Sequence, residues 1–217
     1  TTMTNFNDVV SQFRIEGTVE SVSPIGNGLI NETLRVKTVD ANTPDYILQR
    51  INNAIFTDVD LLQHNIELVT DHIRHKLMEK GETDIERKCL RFVQAKDGKT
   101  YYKDADDRYW RVSVFIPNAV TKEEVNPESA FCCGETFGNF QNMLVDLKEP
   151  LGETIPDFHN MELRLRQLRE AVSADKAGRV ASVKDILAEL ERDADEMCLA
   201  ERLYREGALP KRICHCD

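Results

Sequence analysis

Apolar and polar side chains alternate with a period of two near the start of the chain, and that period predicts strands. Thr18-Val-Glu-Ser-Val-Ser-Pro24 alternates, Leu34, Val36 and Thr38 carry the same rhythm through Ile30 to Val39, and Tyr46-Ile-Leu-Gln-Arg-Ile51 forms a third short run. Gly26-Asn27-Gly28 separates the first two runs and Asp40-Ala-Asn-Thr-Pro44 the next two, both with turn chemistry. Three strands in succession predict an antiparallel meander.

The period then lengthens. Val59, Leu62, Ile66, Val69, Ile73 and Leu77 recur three and four residues apart, which lines them along one side of a helix, with Thr57 or Asp58 as N-cap and Gly81 as the stop. Strand patterning resumes at Cys89-Leu-Arg-Phe-Val-Gln-Ala95, turns through Asp97-Gly98 into Thr100-Tyr-Tyr102, and returns at Tyr109-Trp-Arg-Val-Ser-Val-Phe-Ile116.

Beyond Pro117 the pattern is helical to the end. Asn126-Pro127 supplies an N-cap and a proline for the first helical position, and Phe137, Phe140, Leu144 and Leu147 make an apolar stripe. Gly134 and Gly138, four apart, predict a face suited to close packing. Two further amphipathic stretches carry Leu165, Leu168 and Val172, then Val183, Ile186, Leu187, Leu190 and Met197, before Gly207 and Pro210 end the helical region. The expected class is therefore α+β, with a sheet lobe over residues 1–116, a hinge over 117–126 and a helical lobe over 127–217.

Composition narrows the function classes. At 217 residues, with 41% hydrophobic and 30% charged side chains, the chain is an ordinary globular one able to bury a core. A net charge of -10, with no Lys/Arg run longer than two residues, argues against a nucleic-acid partner. Thr1 to Gln12 reads as polar, without the basic and apolar regions of a signal peptide, and no apolar run approaches the roughly 20 residues of a membrane span; a cytoplasmic setting without a membrane partner is expected. Six cysteines are too few for a disulfide scaffold of this length. Cys214-His215-Cys216 lacks the paired-cysteine spacing and the fourth ligand of a structural zinc site, so the thiols read as reduced and structural.

A small antiparallel sheet holding one helix, followed by a helical lobe ending in His215-Cys216-Asp217, is the arrangement of a protein-kinase-like phosphotransferase. Each part of that machinery has a candidate. In Pro24-Ile-Gly-Asn-Gly-Leu-Ile-Asn31, Gly26, Asn27 and Gly28 let backbone N–H groups approach phosphate oxygens, although glycines in a hairpin also serve the turn itself. Strand three offers Gln49 where such folds present a lysine, and a carboxamide hydrogen-bonds but carries no charge. Glu67 stands mid-helix where a kinase keeps the acid that pairs with that lysine; a solvated surface glutamate is the plain alternative. His159, with no nucleophile or metal partner beside it, reads as a packed or capping side chain. Asp217 would accept a hydrogen bond from a substrate hydroxyl and align it for in-line attack on phosphorus.

Several segments together resemble one family. Pro24-Ile-Gly-Asn-Gly-Leu-Ile-Asn-Glu-Thr33, Tyr46-Ile-Leu-Gln-Arg-Ile-Asn52, Phe56, Asn65-Ile-Glu-Leu-Val69, Trp110-Arg-Val112, Phe137-Gly-Asn-Phe-Gln-Asn142, Ile155-Pro-Asp-Phe-His159 and Asp175-Lys-Ala-Gly-Arg179 resemble the N-acetylhexosamine 1-kinases of the aminoglycoside phosphotransferase and choline kinase group. The likeness runs from about residue 10 to the end. It implies transfer of phosphate from ATP, with Mg²⁺, to the anomeric hydroxyl of N-acetylglucosamine or N-acetylgalactosamine. It also implies that glutamine at position 49 is a family trait. By the same resemblance Asp217 is the catalytic aspartate, Gly26, Asn27, Gly28, Gln49, Glu67, Phe115 and Ile116 hold the nucleotide, and Leu29 and Asn31 meet the sugar. Cys216 stands where the better-known member has asparagine.

The resemblance places the metal ligands and most of the sugar site downstream of Asp217, so no metal ligand is expected within the chain. Little or no turnover is expected of the chain alone, because Asp217 would carry its own α-carboxylate on a frayed end. The alternative readings are a non-catalytic kinase-like module that binds nucleotide or protein, and a kinase of another small hydroxylated substrate.

Overall fold

The computed structural model describes residues 4–26 and 30–216. They fall into two compact units, the first Thr1–Thr154 with Cys214–Asp217 and the second Ile155–Ile213. Residues 117–126 lie within the first unit and carry neither helix nor strand.

The first unit is built on an antiparallel sheet. Strands β1 (Val19–Pro24), β2 (Glu32–Thr38) and β3 (Tyr46–Ile51) form the expected meander, and β6 (Tyr109–Val114) adds to β3. Two short pieces, β4 (Phe92–Val93) and β5 (Tyr102–Lys103), both pair with β6 on its other side. Only Phe92 and Val93 of the strand expected over Cys89 to Ala95 join the sheet. A short helix α3 (Ile85–Lys88) leads into Cys89, whose buried thiol turns toward the Thr70 carbonyl 3.5 Å away. Burial pushes that thiol's pKa up, as suits a packing group.

Alternation assigns the two sheet faces. Leu34, Val36, Tyr46, Leu48, Trp110, Val112 and Val114 form one buried layer, completed by Val9, Val10 and Phe13. These last three belong to a helix, α1 (Phe6–Val10), and the turn after it, so the segment read as polar covers this face. Phe6 meets Trp110 edge-on with ring centroids 6.0 Å apart, an arrangement suited to the ring quadrupoles. The Trp110 indole donates to Asp104 at 2.9 Å, which satisfies its one polar group.

The other face carries Thr33, Gln49, Ile51, Tyr109 and Arg111, and α2 (Val59–Glu79) packs on it through Val59 and Leu62 against Ile51. Asp58 caps α2 by accepting from the Leu61 N–H. Gly81, at φ +69, closes the helix by the paired bonds of a left-handed cap, Gly81 N–H to Met78 and Glu82 N–H to Leu77.

Helix α4 (Pro127–Met143) begins at Asn126, which exchanges side-chain bonds with Ser129 in a capping box. Leu144 is buried just past its end. Gly134 and Gly138 do not form the expected packing face: a Cβ at either would meet nothing within 4 Å. In the second unit, α5 (Met161–Ala174), α6 (Lys184–Met197) and α7 (Leu199–Arg205) are joined by paired ions, Arg169 with Glu191 and Arg205 with Glu162. Asn160 caps α5, while His159 is exposed against the Phe158 ring. None of the described helices is long and apolar enough to cross a membrane.

Candidate functional site

A continuous chain of hydrogen bonds crosses the α2 side of the sheet. It starts on β2, where the Thr33 hydroxyl accepts from the Gln49 amide at 3.1 Å. The Gln49 carbonyl oxygen accepts from Arg111 Nε at 2.9 Å and from Nη2 at 2.6 Å. Arg111 Nη1 donates to the Gln63 carbonyl oxygen on α2 at 3.0 Å, and the Gln63 amide donates to the Thr100 carbonyl and hydroxyl oxygens at 3.1 and 3.0 Å. The Thr100 hydroxyl in turn donates to Glu67 at 2.7 Å.

The orientations in this chain are forced. A guanidinium only donates, so both glutamines must turn their oxygens toward Arg111 and their amides away. Thr33, Gln49 and Arg111 stand on neighbouring strands in direct register, Thr33 opposite Gln49 and Gln49 opposite Arg111. Gln63 and Thr100 are buried, at 3% and 7% exposure, so their polar atoms depend on these partners.

The electrostatics centre on Arg111. Burial lowers its pKa to about 10, so it stays charged at neutral pH. Its ring contact is Phe92, 5.4 Å from the guanidinium carbon. No carboxylate of the described residues pairs with it.

Gln49 and Glu67 are thus brought into one network, but not into contact. Gln63, one turn before Glu67 on α2, reaches across to the sheet, and Glu67 joins through Thr100. Glu67 also borders a groove of about 600 Å³ lined by Asp58, Asp60, His64 and Tyr101.

Gly26 follows β1 at φ +71 with open space where a Cβ would stand, and the Ile25 N–H bonds to Thr33 O at 3.0 Å to close the hairpin. Asn27, Gly28 and Leu29 lie outside the described residues, as does Asp217. The Asn31 side chain accepts from the Asn52 N–H at 2.8 Å, which ties the start of β2 to the end of β3. Phe115 lies past β6 with its N–H on the Asp45 carbonyl and its ring under the Arg35 guanidinium at 4.2 Å; Ile116, half-buried, follows. Near the end, His215 sits edge-on to both Phe137 and Phe140.

Sequence reasoning left Arg111, Gln63 and Thr100 without roles. Parity along β6 was the available signal: with Trp110, Val112 and Val114 facing the core, a charged residue at 111 must face the other side. The described residues contain no cluster of three or more His, Cys, Asp or Glu side chains that would hold a metal ion.

The profile of the phosphotransferase enzyme family matches residues 21–217. Among solved structures, the chain is similar to a spectinomycin phosphotransferase in complex with ADP and spectinomycin, with 13% identity and a TM-score of 0.55, covering 100% of this chain and 64% of that one. It is also similar to an aminoglycoside phosphotransferase from Alicyclobacillus acidocaldarius, with 21% identity, a TM-score of 0.49, and coverage of 93% of this chain and 55% of that one. The chain therefore spans between about half and two thirds of the length of these structures. The fold is α+β and protein-kinase-like.

Proposed function

The chain belongs to the phosphotransferase enzyme family, and from that membership we propose that it serves ATP-dependent phosphorylation of a hydroxyl on a small molecule, specifically the anomeric hydroxyl of an N-acetylhexosamine. The observation that carries this reading is the hydrogen-bonded chain from Thr33 through Gln49 and Arg111 to Gln63, Thr100 and Glu67. It joins the positions at which a kinase-like fold anchors phosphate, strand three and the helix, and it does so around glutamine rather than lysine. The hexosamine assignment is supported by the segments that resemble the N-acetylhexosamine 1-kinases, which share that glutamine.

The residues present fit a nucleotide. Among the described residues Arg111, on the α2 side of the sheet, has no carboxylate partner, and this charge balance suits an anionic ligand. ATP supplies the phosphoryl group when bound. Gly26, Asn27 and Gly28 would cover its phosphates, Phe115 and Ile116 would border the base at the end of β6, and Leu29 and Asn31 would approach the sugar. Asp217 would accept a hydrogen bond from the anomeric hydroxyl, holding it in line for attack. Residues 117–126 serve in this reading as the hinge of two lobes, 1–116 and 127–217. Mg²⁺ would neutralise charge on the phosphates when bound, and no cluster of the described residues would hold it.

The test is a phosphorus NMR assay of the protein with ATP and Mg²⁺, offered N-acetylglucosamine, N-acetylgalactosamine, spectinomycin and an aminoglycoside in parallel. Any transfer is expected to give an acid-labile sugar 1-phosphate, with little or no turnover by this chain alone and with ADP bound. Transfer confined to spectinomycin or the aminoglycoside would overturn the hexosamine assignment, and failure to bind ADP would overturn the nucleotide reading.

A further inference from the structure

Arg14, exposed, meets only neutral acceptors in Gln94 and the Lys96 carbonyl, but several arginines around this sheet have a carboxylate, and among the described residues Arg111 lacks one while being largely buried. Arg35 pairs with Asp45 at 2.8 Å, Arg108 with Asp104 at 2.8 Å, and both Arg74 and Arg91 with Glu86 at 3.1 Å. Arg111 is instead held by two neutral carboxamides. A largely buried cation ordinarily has an ionic partner, because burying an uncompensated charge is costly. The acid closest along the hydrogen-bonded chain, Glu67, is engaged by Thr100.

We infer that Arg111 is the fixed cation of the site, oriented by Gln49 and Gln63 so that its guanidinium meets the phosphate groups of the bound nucleotide. This inference rests on the nucleotide-binding reading above and adds the residue that supplies charge where strand three has only Gln49.

The donor count supports it. A guanidinium has five N–H groups. Nε–H and one hydrogen on Nη2 go to Gln49, and one on Nη1 goes to Gln63, which leaves one N–H on each terminal nitrogen. Each of these N–H groups can donate to a phosphate oxygen, a charge-assisted bond stronger than one between neutral groups. The carboxamides fix the guanidinium without neutralising it, whereas a carboxylate at either position would cancel the charge a phosphate needs. Gln49 thus acts as a positioning residue, and glutamine at position 49 becomes the consequence of a cation arriving from the neighbouring strand: a lysine there would face Arg111 directly across the ladder.

Calorimetric titration of the protein and its Arg111→Met variant with ADP, adenosine and tripolyphosphate tests this. The expected result is that the variant loses affinity for ADP and tripolyphosphate by about tenfold or more and keeps adenosine affinity within about twofold. ADP binding unchanged in the variant would overturn the inference alone, and parallel loss of ADP and adenosine would reduce Arg111 to a structural role. If the wild-type protein bound neither ADP nor adenosine, the nucleotide reading itself would fall and take the inference with it. Should the variant fail to fold, nitrogen NMR on the wild-type protein decides: the Arg111 Nε signal should shift with ADP and tripolyphosphate but not with adenosine, and an equal shift with all three would overturn the assignment.

Discussion

One atom of Gln49, its side-chain carbonyl oxygen, accepts two hydrogen bonds from Arg111, from Nε at 2.9 Å and Nη2 at 2.6 Å. The two residues lie directly opposite each other on β3 and β6, so the pairing is set by the ladder rather than by long flexible side chains. A neutral acceptor therefore orients a charged donor.

Replacing Gln49 by leucine keeps the volume and removes that acceptor. Bonds to charged groups contribute about 1.5 to 3 kcal/mol, and this change removes both bonds that Arg111 makes to the Gln49 oxygen, so Gln49→Leu should cost about 2 to 3 kcal/mol. Urea unfolding of the two proteins measures it. A loss under about 0.5 kcal/mol would show that Arg111 finds another acceptor at no cost.

Most of this scaffold was legible because its periods are clean, and the exceptions have physical causes. Strand β3 occupies the residues its alternation predicted, and α2 is capped at Asp58 and terminated at Gly81 as the cap chemistry required. Helix α1 escaped notice since five residues are too few to display a helical period, yet Val9 and Val10 lie in the core. The strand expected over Cys89 to Ala95 was overextended because Cys89 belongs to the packing under α2, where side-chain contact decides and local alternation does not. Within the site, Gln49 and Glu67 were legible as positions, whereas the residue that bridges from the sheet to α2 was not. Arg111 meets Gln49 across 62 residues of chain, a register that no single-segment pattern encodes.

Gln63→Glu separates charge from packing. The introduced carboxylate would keep an acceptor for Arg111 but turn an oxygen toward the Thr100 carbonyl, so the ion pair gained is offset by an unfavourable contact. Stability should change by about 1 kcal/mol or less, while ADP affinity falls by about tenfold as the guanidinium is neutralised. Thermal unfolding and calorimetric titration read the two effects independently. Unchanged ADP binding would mean that the charge of Arg111 is not used.

Gly152→Ala tests the close approach of the chain after α4 to α2. A Cβ at this glycine would stand 2.5 Å from Leu61 Cδ1, and the Gly152 backbone makes two bonds to the Asn65 side chain, one of 2.8 Å and one of 3.1 Å. Leu61 must rotate or the backbone must retreat from Asn65, at a cost of about 1 to 2 kcal/mol. Asn65→Ala should lose about 1 kcal/mol, since the bonds are exposed. The double variant should lose less than the sum, because both changes act on one contact. Strict additivity in a urea-based double-mutant cycle would refute the coupling.

Asp146 gives the first unit a defined acid sensitivity. Its carboxylate receives hydrogen bonds from Lys76 and His72 of α2, the His72 Nε2 contact being 2.9 Å, and these, led by Lys76, lower its pKa from 3.8 to about 2. A carboxyl group held more acidic in the fold than in the unfolded chain contributes stability only while it is ionised in the fold. That contribution is complete above pH 3.8 and is lost as the pH falls toward about 2. The side chain is 53% exposed, so solvent and salt screen the pair and the effect should be small. Urea midpoints of the wild type and Asp146→Asn should differ at pH 5, where the carboxylate is ionised in the fold, by the linkage relation. The two curves should then converge as the pH drops below about 4. A gap that persists to about pH 2 would show that Asp146 acts through shape and not through its charge.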